Sequence, residues 1–226
     1  MIHQLETLTP PSSVATPPVN GTDHPMRQVT LQIAFDPGGW SDDRRHKIEE
    51  LFDSLAPTWP TDDTPDGTAP VVEVPLTDAL DRGLPLAPPA ERNRAIDLGG
   101  GNGRATGYLL SRFADVALTD LSFEMLSRVR PALVPRVQAD SSQLPFRSGS
   151  VDVLMLANMF LFPSEAARVV APQGVVIWIN SWGPNTPIHL TAQEVDEALP
   201  GDWSGVAANA GDGTWSVHWR STQLGT

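Results

Sequence analysis

The sequence predicts an α/β fold, doubly wound around a mostly parallel seven-stranded sheet, with a C-terminal antiparallel hairpin and an N-terminal helical lid. Three observations predict it. From residue 94 onward short apolar strands alternate with helical stretches, the pattern of a parallel sheet with helices on both faces. A run of glycines follows the first of those strands. Near the end of the chain the turn Gly211-Asp212-Gly213 separates two strand-like segments, a hairpin signal.

The whole chain bounds this reading. Its 226 residues give room for one such domain and some extra segments. A composition of 40% hydrophobic and 19% charged residues is globular, while 22 prolines imply much turn and irregular chain. A formal charge of −12 repels phosphate backbones and anionic lipid, which argues against nucleic acid and membrane partners. With no cysteine there are no disulfides, thiolate metal sites or cysteine nucleophiles, and no metal site is expected. The first residues lack the basic and apolar regions of a secretory signal. The longest apolar run, residues 151–162, carries Asp152 and Asn158 and is shorter than the roughly 20 residues that span a bilayer. The expectation is a cytoplasmic protein.

Element by element, residues 1–25 are rich in Pro, Thr and Ser. They read as a disordered leader, because so few large apolar side chains cannot offset the entropy of ordering; Met26 is an alternative start. Residues 26–90 form the lid segment. In it Ser41 is an N-cap, Asp42 and Asp43 suit the positive end of a helix, and Ile48, Leu51, Phe52 and Leu55 recur at helical spacing until Pro57. A second helix is predicted over residues 71–82, with Pro75 in its first turn and Gly83 as its stop. The core is predicted over residues 91–226, with strands at 95–98, 116–119, 137–139, 151–156, 175–179, 206–210 and 214–220. Its helical pieces are 103–113, 123–130 and 164–170, and a capping box at Thr191 and Glu194 opens one more. On the last strand Trp215, Val217 and Trp219 share one face and Ser216, His218 and Arg220 the other.

Chemistry begins at Asp97-Leu98-Gly99-Gly100-Gly101-Asn102-Gly103. Glycines between a strand and a helix let the backbone approach a ligand and present amide N–H groups to it. The dinucleotide spacing G-x-G-x-x-G is absent, since Arg104 or Thr106 would stand at its third glycine. The pattern present, D-x-G-x-G-x-G over Asp97, Gly99, Gly101 and Gly103, resembles motif I of class I S-adenosylmethionine-dependent methyltransferases, which are Rossmann-like. Further matches follow: Asp120 after the second strand, Asp140-Ser141 after the third, Leu144-Pro145-Phe146 before the fourth, and Ala171-Pro172-Gln173-Gly174 before the fifth. The segment from Phe52-Asp53 to Trp59 is similar to the F-D-x-x-A-x-x-aromatic segment of methyltransferases in quinone biosynthesis. The resemblance runs from about residue 45 to the C-terminus.

The resemblance implies an S-adenosylmethionine cofactor, with the glycine loop against its methionine half and Asp120 on both ribose hydroxyls. Leu121 would pack on adenine, Asp140 would accept from its exocyclic amine, and the Ser141 amide would meet a ring nitrogen. Each residue also has a plainer reading: Asp120 as a helix cap, Asp140 as a turn residue, Trp59 as core. Asn158, Asn180 and Ser181 follow strands that face the methyl group in this fold, or simply turn the chain there. Of five histidines, His189 alone follows a strand end in a position to serve as a general base, against the competing reading of an ordinary loop histidine. The reading is methyl transfer by in-line displacement to an O, N or C nucleophile of a small, moderately apolar molecule. The alternatives are a non-catalytic cofactor-binding sensor or assembly module, and an enzyme that uses the cofactor for other chemistry.

Overall fold

In a computed structural model that describes residues 1–11, 23–60, 72–129 and 134–221, the strands in chain order are Ile2–Gln4 (β1), Arg94–Leu98 (β2), Asp115–Asp120 (β3), Arg136–Gln138 (β4), Val151–Ala157 (β5), Val170–Asn180 (β6), Trp203–Ala210 (β7) and Gly213–Arg220 (β8). They form one sheet in the order β1-β7-β8-β6-β5-β2-β3-β4. Every pairing is parallel except the two made by β8, which lies antiparallel between β6 and β7. The seven strands predicted from the sequence are β2 to β8. Strand order reverses at β2, which pairs with both β3 and β5, and ligands of open α/β sheets sit outside the carboxyl ends of strands at such a point.

The eighth strand corrects the disordered leader. Ile2, His3 and Gln4 pair with Gly205, Val206 and Ala207 of β7, and the contact continues from Leu5 N to Ala207 O at 2.8 Å and from Gly211 N to Thr9 O at 2.9 Å. The Arg82 guanidinium also donates to Glu6 O at 2.8 Å. Apolar content is a poor guide here, because the segment is held through backbone groups that the outer edge of β7 would otherwise leave without ladder partners. The rest of the predicted leader, 12–22, lies outside the described residues.

The helices are Pro25–Phe35 (α1), Asp42–Leu55 (α2), Glu73–Asp78 (α3), Thr106–Leu110 (α4), Phe123–Ser127 (α5), Pro163–Val169 (α6) and Ala192–Ala198 (α7). The α1 helix is unforeseen; Pro25 stands in its first turn and the His24 ring accepts the Met26 N–H. Ser41 caps α2 by accepting Arg44 N–H, and both bonds of the capping box are present at α7. A five-residue π-helical turn, Ala79–Gly83, continues α3. The α4 helix is shorter than the predicted 103–113, since Gly101 and Gly103 hold positive φ of 58° and 86° and keep the chain out of helical geometry until Ala105.

Alternate strand residues face two cores. On one side Ala95, Val153, Met155, Ile177 and Trp215 pack with Leu76, Ala79 and Leu80. Here the Trp215 indole donates to Asp78 at 2.7 Å. On the other side Ile96, Leu98, Leu154, Leu156 and Trp178 pack with α6 and α7. The face of β8 read as polar is also covered, and His218 is fully buried with its Nε2 2.8 Å from Ser216 Oγ.

Candidate cofactor and acceptor site

At the carboxyl ends of β2, β3, β5 and β6, roofed by α1 and α2, lies a cavity of about 510 Å3, within the range of about 300–1,000 Å3 usual for small-molecule sites. The glycine loop forms its floor. Gly99, Gly100 and Gly103 show why glycine is needed for packing: a Cβ at Gly99 would stand 2.3 Å from Met159 Sδ, one at Gly100 2.6 Å from the Asp97 carboxyl carbon, and one at Gly103 3.2 Å from Val129. Gly101 differs. Its φ is 58° and a Cβ there would meet nothing closer than Met125 Sδ and Trp59 Nε1, each at 4.0 Å, so it would project into the cavity.

Two acids shape the loop. Asp120 ends β3 and lines the cavity; its Oδ2 accepts Gly101 N–H at 2.9 Å and its Oδ1 accepts Ser122 N–H at 2.8 Å. Helix α5 is capped by Ser122, so Asp120 is not the cap of the plainer reading. Burial pushes its pKa up, against the pull of the Ser122, Gly101 and Leu121 amides. Asp97 is 1% exposed. Its Oδ2 accepts the Thr106 hydroxyl at 2.5 Å, and its buried Oδ1 has no hydrogen-bond partner among the described residues. Burial pushes this carboxyl up to about 7, Thr106 pulls it back and Asp120 adds to the rise.

The lid is tied to this floor through polar side chains. Asp53 accepts the Ser122 hydroxyl at 2.5 Å, Asn102 donates to Pro60 O at 2.9 Å, and Gln138 donates to Glu49 at 3.2 Å. Trp59 consequently lines the cavity, edge-on to Phe52 with ring centroids 5.9 Å apart. Leu121 and Ser141 also line it. Asn158, the one non-glycine residue with positive φ among the described residues (53°), joins two strand ends: its amide donates to Ser181 Oγ at 2.9 Å and accepts Ser181 N–H at 2.9 Å. Both residues face the cavity.

Four expectations change. Asp140 faces a neighbouring cleft instead of the cavity. Trp40 borders both and donates its indole N–H to Asp140 at 3.1 Å, while Oδ1 accepts Ser142 N–H. Gly103 is a packing residue, absent from the lining among the described residues. Asn180 is turned away, its amide spent on Leu190 O and Thr214. His189 is 6% exposed and outside the lining, although Pro187 and Ile188 belong to it. Burial and then Arg27 push the His189 pKa down to about 4, against Glu194, and its Nδ1 has no hydrogen-bond partner among the described residues. A general base at His189 is not supported by this placement.

Several lining residues were missed. His24 falls within the predicted leader, yet it caps α1 and lines the cavity. Trp40, Phe160 and Phe162 form an aromatic wall, with Trp40 edge-on to Phe162 at 5.1 Å and tilted to Phe160 at 6.3 Å. Residues 160 and 162 sit just past the end of β5, where the sequence shows only a continuing apolar run.

Comparison with known proteins agrees with this architecture. The family model for a methyltransferase domain matches residues 96–178. A biotin biosynthesis bifunctional protein of Cellvibrio japonicus is 30% identical over 164 residues, covering 67% of this chain and 31% of its own. A malonyl-[acyl-carrier protein] O-methyltransferase of Halorhodospira halophila is 41% identical over 108 residues, 41% of this chain and 36% of its own. The chain thus spans about a third of the length of these two curated relatives. The solved DhpI-SAM-HEP complex superposes with a TM-score of 0.59 at 18% identity, over 79% of this chain and 99% of that one, a likeness of fold.

Proposed function

We propose that the chain is a class I S-adenosylmethionine-dependent methyltransferase, as its methyltransferase-domain match and its relatives support, and that it transfers a methyl group to a small molecule held under the lid. The observation that carries the proposal is that the glycine loop, the Asp120 carboxylate and an apolar chamber meet in one cavity. The residues fit the family's cofactor. Gly101 leaves open space where a side chain would intrude, Asp97 presents a buried oxygen without a hydrogen-bond partner among the described residues, and Asp120 already accepts two amides. A carboxylate has about four acceptor sites, so Asp120 can also take ribose hydroxyls.

When bound, the cofactor supplies a methyl group made electrophilic by its sulfonium. The protein's work is then alignment and exclusion of water. Gly99 and Gly101 would carry the methionine half, with Arg104 of the lining as a counterion for its carboxylate. Leu121 and Ser141 would flank the adenine, and Asp140 would reach it only together with Trp40, which shares its carboxylate. Asn158 and Ser181 hold the ends of β5 and β6 in register, and Trp59 closes the lid side. An apolar chamber beyond the glycine loop favours catalysis over cofactor sensing, since a sensor needs no room for an acceptor. Calorimetric titration with S-adenosylmethionine, followed by transfer of radiolabelled methyl to acceptor pools, tests the proposal. A folded chain that does not bind the cofactor refutes it.

A further inference from the structure

The acceptor chamber is built from Trp40, Ile48, Phe52, Phe160, Phe162 and Ile188, all apolar or aromatic. Its polar neighbours bear no charge: Asn158 and Ser181 share two hydrogen bonds, and the Thr186 hydroxyl accepts the Trp182 backbone N–H at 3.0 Å. Among the described lining residues Arg104 is the sole Lys or Arg, and it belongs to the glycine loop. Residues 12–22 and 61–71, which adjoin the lid in sequence, contain no Lys, Arg or His. A carboxylate acceptor would therefore be buried without a cation, which costs several kcal/mol or more. A cationic acceptor would face aromatic rings that attract it, but also the sulfonium of the family's cofactor next to the same chamber.

The polar groups left to meet an acceptor are donors: Trp182 of the lining has a buried indole N–H with no hydrogen-bond partner among the described residues, and the His24 ring lines the same cavity. His24 Nδ1 accepts Met26 N–H at 3.1 Å, so the neutral ring carries its proton on Nε2, which has no hydrogen-bond partner among the described residues. It offers a donor and suits an oxygen.

We infer that the acceptor is an uncharged, largely apolar ring compound that presents a hydroxyl oxygen to the methyl group. The inference rests on the methyltransferase reading above. The hydroxyl oxygen forms the bond to the methyl carbon, the methyl–sulfur bond breaks with its electron pair passing to sulfur, and the hydroxyl proton leaves to solvent water. The products are the methyl ether and S-adenosylhomocysteine.

Three probes of matched shape test it on the full chain: 1-naphthol, 1-naphthoate and 1-naphthylmethylammonium. S-Adenosylhomocysteine is titrated first by calorimetry, and absence of its binding would count against the methyltransferase reading itself. With that ligand saturating, 1-naphthol is expected to bind at least about tenfold tighter than either charged probe, or about 1.4 kcal/mol. Ile188→Arg, which puts a guanidinium in the chamber, should erase or reverse the preference over naphthoate. Equal or tighter binding of either charged probe overturns the inference. So does a chain that binds S-adenosylhomocysteine but none of the three. The probe comparison uses the unaltered chain, so it stands whether or not the variant folds.

Discussion

Asp120→Asn keeps the volume of the side chain and removes its charge, and it separates the two jobs the structure gives this residue. The carboxylate accepts Gly101 N–H through one oxygen and Ser122 N–H through the other. In asparagine one of those oxygens becomes a donor, so one amide loses its acceptor and faces an N–H instead. A hydrogen bond to a charged group contributes about 1.5–3 kcal/mol. The unfolding free energy should fall by about 1–3 kcal/mol, because the glycine loop is no longer pinned to the end of β3. The lost acceptor for the ribose hydroxyls should weaken S-adenosylhomocysteine by about 10-fold to 100-fold. Urea unfolding and calorimetric titration at one pH read the two effects separately. A folded variant whose Kd changes by less than about threefold would leave Asp120 as a brace for the turn and nothing more. Lost affinity with unchanged stability would instead refute its role in holding the loop.

Gly101→Val should abolish cofactor binding in a folded chain, since its branched side chain would enter the cavity at a φ of 58°; calorimetry at wild-type affinity would overturn the motif assignment. Deleting residues 1–11 should cost about 1–3 kcal/mol and lower Tm by several degrees, because β1 is a paired strand, and an unchanged melting curve would contradict that pairing. Asp97→Asn should change how stability depends on pH. Burial raises the Asp97 carboxyl to about 7, so the native state holds a proton that the unfolded chain releases near 3.8. Its contribution is fully present below that lower value and is lost as pH rises toward about 7, on the order of 4 kcal/mol across the window. His189 and His218, pushed down to about 4 and about 3, act in the opposite sense, with stability lost as pH falls from 6.5 toward those values. The test is therefore the difference between variant and wild type: the variant should gain relative stability from about pH 4 to about pH 7, and a difference flat in pH refutes the assignment. His189→Ala should leave turnover within about tenfold, since the ring lies outside the cavity; a larger, pH-dependent loss of turnover with cofactor affinity kept would restore it as a base.

Much of the fold was legible because its signals are local. Alternating apolar strands gave β2 to β8, Ser41 and the Thr191–Glu194 box marked two helix starts, and the glycine spacing located the floor of the site. What failed was non-local. Pairing of β1 depends on the backbone of β7, about two hundred residues away in sequence, and leaves no trace in the composition of its own segment. The helix capped by His24 begins with a proline after a stretch that reads as irregular. Asp140 satisfied its motif, yet Trp40, a hundred residues earlier, stands between it and the cavity. His189 follows a strand in the expected place, but spacing carries no information on which way a loop turns its ring. Phe160 and Phe162 were visible as apolar residues, and only the third dimension separates a wall from a core.

The sheet ends on both sides in strands of three residues, β1 and β4, while the strands inside run from five to eleven. Short edges offer a neighbouring chain few free N–H and C=O groups, which limits edge-to-edge association. On the β1 side this protection is thin. Beneath those three residues lies β7, eight residues long and buried along most of its length, with Trp203, Val206, Ala207 and Ala208 in the core. Stripped of β1, it becomes a longer edge backed by apolar side chains, able to accept a strand from a second molecule. The first residues of the chain thus bear on its colloidal behaviour in concentrated solution, where light scattering would register their loss as aggregation.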